Sequence, residues 1–496
     1  MIYKDDPDSI RGFLEDTSNL KSGYTPGVYF PETVDELAEL LKSAIKEHRQ
    51  FTIAGNGTGT TGGRIPQGEY VISMQKLDRI GEPVPFGADR AYITVQAGAL
   101  LETLQKKVEH SGWFYPPDPT ETLCFIGSTI ANNSSGAKSF KYGSTRNHVA
   151  RILLILADGE RLNLSRGVCR ADKDGLFRFT LPSGREMSFR RPEYRMPETS
   201  KHNAGYFSKA EMDLIDLFIG SEGTLGVIAE ADLLLTPLPS AIISCLVYFR
   251  KIDELFLFVD LLKEPEQSVV PRAIEFFDSH SLEFLAERYP EVPANSEGAI
   301  FFELETTPER KEGDLDLLFG LMESCNAMTD ESWMALDRDE QDRLRQFRHA
   351  LPLIVNDWLS RQYESKISTD MAVPERRFRA LFDFYRSSCE QEGFVYIIFG
   401  HIGDAHVHLN ILPRNHEEFL QAKALYKKFV GKALELGGTL SAEHGIGKLK
   451  SEYLVGMYHE SGIEEMVRIK KYLDPFLLLN RGNLIPAAYL EPNTTH

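Results

Sequence analysis

Five of the nine residues from Gly55 to Gly63 are glycine, and they follow a short apolar run, Phe51 to Ala54. Gly57-Thr58-Gly59-Thr60-Thr61-Gly62 matches the G-x-G-x-x-G pattern of a dinucleotide-binding turn. That pattern forms a Rossmann site only where a helix opens on it, so that the helix N-terminus meets the pyrophosphate. Here Gly63-Arg64-Ile65-Pro66 follows, and then a new strand, Tyr70 to Met74. Pro66 and the short spacing leave no room for the helix, so the Rossmann reading is rejected. No G-x-x-x-x-G-K-[ST] occurs either. What survives is a turn whose backbone N–H groups can converge on an anion without Cβ obstruction, with hydroxyls from Thr58, Thr60 and Thr61. A mobile surface loop is the plain alternative for this stretch taken alone.

Two further small-residue segments change that weighting. Tyr115-Pro116-Pro117-Asp118-Pro119-Thr120 is stiff and extended, and it leads into Gly127 to Gly136 and then Lys141-Tyr142-Gly143. Residues 113–148 are poor in regular signals, and so long a loop in a compact domain is usually functional. Gly220 to Ile228 is of the same kind. Such stretches can lie flush against a flat polyanionic ligand.

The surrounding pattern sets the frame. Thr33 and Glu36 form a capping-box pair ahead of an apolar stripe, Val34 to Ile45. Strands are expected at Phe51–Ala54, Tyr70–Met74 and Tyr92–Gln96, with a helix near Leu100–His110. Asp158-Gly159 reads as a hairpin turn, and a second hairpin is expected at Pro182-Ser183-Gly184. After Pro237 and Pro239, strand-like runs (Ile242–Phe249, Ala299–Leu304, Phe394–Phe399) alternate with helical ones (Asp253–Leu262, Arg310–Met322, Asp339–Trp358, Glu375–Glu392). This places a boundary near residue 240, with divisions at 1–240, 241–440 and 441–496. The last segment is expected to return to the first lobe.

Composition excludes several classes. The 496 residues carry 55 Lys plus Arg against 73 Asp plus Glu, a formal net charge of −18, which argues against a general nucleic-acid binder. The five scattered cysteines contain no C-x-x-C, so neither a disulfide framework nor an in-chain iron–sulfur cluster is expected. No apolar run is long enough to span a bilayer, and the N-terminus lacks the pattern of a secretory signal. The expected location is the cytoplasm, with peripheral docking at the inner face of the membrane left open.

The second chemical feature is Gly400-His401-Ile402-Gly403-Asp404-Ala405-His406-Val407-His408-Leu409-Asn410. His406, His408 and Asn410 alternate and share one face if the run is a strand. Imidazoles gathered this way suit a borderline divalent metal, although a lone histidine is more often structural. Glu443-His444-Gly445 adds a carboxylate and another imidazole.

The ordered set AGNGTGTTGG, YPPDPTETLCFIGSTIANNSSGAKSFKYG, GSEGTLGVI, GHIGDAHVHLNILP and SAEHGIGKLK resembles the vanillyl-alcohol-oxidase type of flavoproteins, with a PCMH-type FAD domain. More narrowly, it resembles the branch holding D-lactate dehydrogenase, the glycolate oxidase FAD subunit and D-2-hydroxyglutarate dehydrogenase. The resemblance covers about residues 25–486. It implies an α+β fold: two αβ subdomains holding FAD, an α+β cap with an antiparallel sheet, and a C-terminal segment returning to the FAD domain.

The cofactor-binding positions it implies are Gly55, Gly57, Thr58, Gly59, Thr60, Thr61, Gly62, Pro117, Asp118, Gly127, Ser128, Ala131, Asn132, Ser134, Gly136, Tyr142, Gly143, Glu222, Gly226, Ile228 and Asn480. Some relatives attach FAD through a histidine in the first glycine loop; this loop has none, so noncovalent FAD is expected. His401, His408 and Glu443 match a divalent-metal set, such as for Zn, and His444 matches the catalytic base. The usual G-H-x-G-D-G-N-x-H carries Ala405-His406 here in place of Gly-Asn. His406 is therefore a substrate contact, an alternative ligand or a bystander. Arg348 matches the anchor of a substrate carboxylate, against the alternative of a solvated arginine on an acidic helix that also holds Arg345. Lys366 and Asn410 are further substrate candidates, with an ordinary surface lysine the alternative for Lys366.

The activity implied is oxidation of a 2-hydroxy acid with hydride transfer to flavin. The electrons would pass to a quinone, an iron–sulfur subunit or an electron-transfer flavoprotein. Competing readings are an alkyl-dihydroxyacetone-phosphate-synthase-like flavoenzyme, a noncatalytic flavin electron-transfer subunit and a metal-dependent hydrolase. Homo-oligomerisation is left open.

Overall fold

The computed structural model describes residues 1–264 and 269–491. Among these, four sheets form. A small mixed sheet runs in the order Ile2–Lys4, Val28–Phe30, Tyr70–Ser73, Phe51–Ala54, and its last three strands are parallel. The helix at Val34–Glu47 packs on it. Thr33 caps that helix by accepting the Glu36 N–H, as the capping pair predicts. No helix follows the glycine loop before the strand at Tyr70, so the rejection of a Rossmann unit holds.

A second, antiparallel sheet runs Val84–Pro85, Ala91–Gln96, Val227–Pro237, Val149–Ile155, Arg161–Ser165, with Trp113–Phe114 paired to the end of the long strand. Both expected hairpins form; Gly159 takes φ 81° at the first turn, and Leu176–Thr180 pairs with Glu186–Arg190 at the second. One apolar cluster joins the two larger sheets of this lobe. It unites Leu37, Leu41 and Ala44 of the helix with Phe51, Ile72, Ile155, Val227, and Leu478 and Leu479 of the C-terminal segment. Leu479 bridges Phe51, so the C-terminal segment returns to the first lobe.

The third large unit is a seven-stranded antiparallel sheet in the order Trp333–Ala335, Ala241–Phe249, Gly298–Thr306, Pro271–Asp278, Tyr396–Gly400, His408–Ile411, Ile367–Ser368. Its strand Ala241–Phe249 is apolar on both faces because both are covered. In Ala241–Phe249, Leu246 and Tyr248 pack with Phe347 and Leu351 of the helix Arg338–Gln362. Cys245, Val247 and Phe249 point the other way, into the main core with Phe258 and Phe382. Strand periodicity of two thus explains a run that reads as continuously hydrophobic.

The strand Pro271–Asp278 and the helices His416–Glu435 and Ser451–Leu473 lie outside the elements that the sequence pattern predicts. The first is interrupted by Arg272 and Glu275, both buried and both paired: Arg272 with Glu303, Glu275 with Arg348 and His401. The last breaks its helical dihedrals at His459, φ 57°. No helix is long and apolar enough to cross a membrane among the described residues. All five cysteines are free.

Candidate active site

A cavity of ≈ 310 Å3 lies where the first two sheets meet the cap. Its walls come from the three glycine-rich segments. From the first come Gly55, Gly57, Thr58, Gly59, Thr60 and Thr61; from the second, Gly127, Ser128, Ala131, Asn132 and Ser134; from the third, Glu222, Gly226 and Ile228. Asn480 closes it from the C-terminal segment: its Oδ1 accepts the Ile53 N–H at 2.6 Å and its Nδ2 donates to the Glu222 carbonyl at 2.6 Å.

Gly62, Pro117, Asp118, Gly136, Tyr142 and Gly143 are not among the lining residues. They shape the wall from behind. Asp118 accepts the Lys138 backbone N–H and pairs with its amino group at 3.0 Å, while Gly136 passes so close to Asp118 that a Cβ would meet its carbonyl oxygen at 2.1 Å. The Tyr142 hydroxyl donates to Glu305 of the cap sheet, which ties the two lobes together. The Pro117 carbonyl accepts from Gln105.

The floor is fixed by a buried carboxylate. Glu222 accepts the N–H groups of Ile446 and Gly447 at 2.6 and 2.8 Å. Burial raises its pKa to about 7, against the opposing effect of those two donors. Gly447 takes φ 53°, and a Cβ there would lie 2.2 Å from the Thr61 backbone oxygen. Gly447→Ala should therefore cost about 1–3 kcal/mol of folding stability through backbone displacement. A lowered denaturant midpoint checks this, and an unchanged midpoint would contradict it.

At the cap end, the same cavity is lined by His408, Glu443 and His444. The expected strand alternation does not produce this arrangement: the strand begins only at His408, and His406 lies before it. A turn does the work instead. His401 is followed by a short 3-10 turn, Ile402–Asp404, and by Ala405 at φ 51°, which folds the chain back so that the His406 N–H donates to the His401 carbonyl. One ring nitrogen each of His401, His406 and His408 and a Glu443 oxygen then lie within 4.8 Å of one another.

The tautomers are set from behind. His401 Nδ1 lies 2.6 Å from Glu275 Oε1, and His408 Nδ1 lies 3.1 Å from the Thr369 carbonyl. Both acceptors hold the ring proton on Nδ1 and leave Nε2 as a lone pair. Those two Nε2 atoms face Glu443 Oε2 at 3.1 and 3.8 Å. Two lone pairs and a carboxylate oxygen converge, which calls for a cation or a proton between them. Burial would lower the His401 pKa, but Glu275 and Glu443 outweigh it and raise it to about 9. Burial lowers that of His408 to about 4. Without an ion, His401 therefore holds a proton on Nε2 toward Glu443; a divalent ion that displaces this proton would meet two imidazole nitrogens and a carboxylate oxygen, a donor set that fits it.

Two residues that the sequence did not bring forward organise this cluster. Lys201, with 2% of its side chain exposed, donates to Glu443 Oε1 at 2.5 Å and the Gly136 carbonyl at 2.9 Å, and lies 3.1 Å from Asp404. Asp370 is fully buried. It accepts from Ser441 Oγ, the His444 N–H and Lys450 Nζ at 2.6, 3.0 and 3.1 Å, and lies 3.6 Å from His444 Nδ1. Burial would raise its pKa, yet His444 and Lys450 hold it well below the usual carboxylate range. The available signal was a charged residue isolated in apolar sequence, as in Thr369-Asp370-Met371-Ala372-Val373.

Arg348 is partly buried beside the cluster, with Nε and Nη2 at 3.1 and 2.9 Å from Glu275 Oε2. Arg345 instead pairs with Asp342 on the exposed side of the same helix. Lys366 is half-buried just before the strand Ile367–Ser368 and has no hydrogen bond to the cluster, and burial lowers its pKa. Asn410 is buried within its strand, and its side chain reaches only the His408 carbonyl, at 3.5 Å.

Residues 25–165 match the FAD binding domain family, and residues 238–484 match the C-terminal domain of FAD linked oxidases. The chain belongs to the FAD-linked oxidases. Among curated relatives of this family, the glycolate oxidase subunit GlcD of Bacillus subtilis is 27% identical over 92% of this chain and 88% of its own. D-2-hydroxyglutarate dehydrogenase of Xanthomonas citri pv. viticola is 28% identical over 97% and 93%, and D-lactate dehydrogenase of Anaerostipes hadrus 26% over 91% and 88%. The solved alkyldihydroxyacetonephosphate synthase shares the fold, with TM-score 0.66 at 15% identity over 96% of this chain and 82% of that one. This FAD-linked oxidase is thus an FAD-dependent oxidoreductase of the lactate, glycolate and 2-hydroxyglutarate dehydrogenase branch. The glycine-lined cavity fits the cofactor: Gly57 takes φ 81°, Gly59 has open space where a Cβ would stand, and threonine hydroxyls border the loop.

Proposed function

We propose that this protein oxidises a small 2-hydroxy acid to the 2-oxo acid, with noncovalent FAD in the glycine-lined cavity and a divalent metal such as Zn on the histidine cluster. The observation that carries the reading is the opening of His408, Glu443 and His444 onto the same cavity as the glycine loop. Residues 1–240 are assigned to cofactor binding, 241–440 to the cap and 441–496 to the returning segment.

When bound, the flavin supplies a hydride acceptor and the metal supplies positive charge beside the substrate hydroxyl. The chain's own residues do the rest. His444 stands near Asp370, which favours a ring proton on Nδ1 and leaves Nε2 to take the hydroxyl proton. The His444 ring stacks on His408 at 5.2 Å between centroids with 5° between planes, which fixes its direction. A third of the His444 side chain remains exposed, so a substrate can reach it. Arg348 anchors the substrate carboxylate; its bonds to Glu275 use Nε and Nη2 and leave Nη1 to donate. Electrons leave to a separate acceptor, since all five cysteines are scattered and the chain has no cluster of its own.

The test is anaerobic. The purified yellow protein should bleach with at least one of D-lactate, glycolate or D-2-hydroxyglutarate, and prior chelation should slow the bleaching. A broad panel of 2-hydroxy acids that leaves the flavin oxidised would overturn the reading.

A further inference from the structure

We propose that His406 is a fourth protein ligand, so that a divalent cation in this site is held by three imidazoles, from His401, His406 and His408, and the Glu443 carboxylate. The inference rests on the metal reading above and goes beyond it, because His401, His408 and Glu443 would already make a three-ligand site.

His406 is completely buried; its Nδ1 has no hydrogen-bond partner, and its Nε2 faces only the Asp370 carboxylate, at 3.4 Å. With the ring proton on Nε2 toward Asp370, the acceptor left unsatisfied at Nδ1 costs about 1–3 kcal/mol in the interior. An apolar side chain of the same volume would avoid that cost, so a purely packing role gives no reason for histidine. A ligand role does. One of its nitrogens lies within 4.8 Å of the ligand atoms of His401, His408 and Glu443. Its ring centroid is 4.6 Å from that of His408 and 5.4 Å from that of His401.

The surroundings supply the usual outer partner as well. A metal-bound histidine gives its other N–H to a nearby acceptor. Glu275 serves His401 in this way and the Thr369 carbonyl serves His408. Asp370 Oδ1, 3.4 Å from His406 Nε2, occupies the equivalent place for the third ring. With a proton on that nitrogen, Nδ1 carries the lone pair. Three imidazoles and one carboxylate form a nitrogen-rich set, which selects Zn2+ or Co2+ over Mg2+ or Ca2+. Four protein ligands would hold such an ion more firmly than three, and a substrate oxygen would then have to enter as an additional ligand.

Cobalt is the probe. The flavin-loaded protein, stripped with chelator, is titrated with Co2+, and the d–d bands at wavelengths longer than the flavin absorption are recorded for wild type, His406→Asn and His406→Gln. Flavin content and the unfolding midpoint identify any variant that fails to fold. The expected result is one Co2+ per wild-type chain, with affinity lower by about tenfold or more in both variants and altered d–d bands. As a measurement that needs no variant, electron–nuclear double resonance on the Cu2+-loaded wild type should count three coordinated imidazoles. Unchanged Co2+ affinity and bands in the variants, or a count of two imidazoles, would overturn the role of His406 and leave the metal site standing. A wild-type chain that takes up neither Co2+ nor Zn2+ stoichiometrically would overturn the metal reading itself.

Discussion

Changing His444 to alanine is expected to slow substrate-driven flavin reduction by about 10²- to 10⁴-fold, the range supplied by a positioned general base. The protein should remain yellow. The three glycine segments, which make up most of the cavity wall, do not depend on the imidazole, and the His444 backbone N–H would still be held by Asp370. The measurement is stopped-flow bleaching at saturating 2-hydroxy acid, with flavin content read from the same sample. The deficit should appear in the reduction rate rather than in the substrate concentration needed for half-saturation. Anchoring is assigned to Arg348, which touches Glu275 and is separate from the His444 loop. Wild-type reduction rates in the variant would remove His444 from the mechanism.

Lys201→Met should have the largest effect on stability. The ammonium is the counter-charge for Glu443 at 2.5 Å and Asp404 at 3.1 Å, and all three side chains are less than a tenth exposed. Burial would by itself lower the lysine pKa; Glu443 and Asp404 reverse that and raise it, so the group is charged. Removing it leaves two buried carboxylates short of a partner, a change that costs about 3–5 kcal/mol where one member of a buried pair is deleted. Glu443 keeps only Ser135 Oγ on its Oε1 side, at 3.0 Å, and is free to swing away from the histidines. A lowered denaturant midpoint and reduced metal uptake are the paired expectations. A variant as stable as wild type, with full metal content, would show that Lys201 does not position Glu443.

The parts of the molecule legible in the sequence are those where chemistry and local pattern coincide. The capped helix at Val34–Glu47, the D-G hairpin and the two-sided strand Ala241–Phe249 each carry their own signal. The glycine segments are legible because glycine and small polar residues cluster, and that clustering survives without knowledge of the fold. What stayed hidden depends on distant partners. Arg272 and Glu275 interrupt a strand with charge, and only the facing Glu303, Arg348 and His401 make that charge tolerable. Lys201 and Glu443 are 242 positions apart, so no local pattern could join them. The convergence of the histidines was anticipated, but through strand alternation; a left-handed Ala405 produces it instead.

Asn480 bonds to Ile53 and Glu222, reaching back 427 and 258 positions along the chain. A chain made from its N-terminus exposes all three glycine segments to the cell long before Asn480 exists. During synthesis, the first lobe is therefore an unfinished cradle, with the Ile53 N–H and the Glu222 carbonyl still unpaired by their final partner. Flavin capture then becomes a late event in the life of the polypeptide, and a product that stops before residue 480 would be colourless as well as truncated.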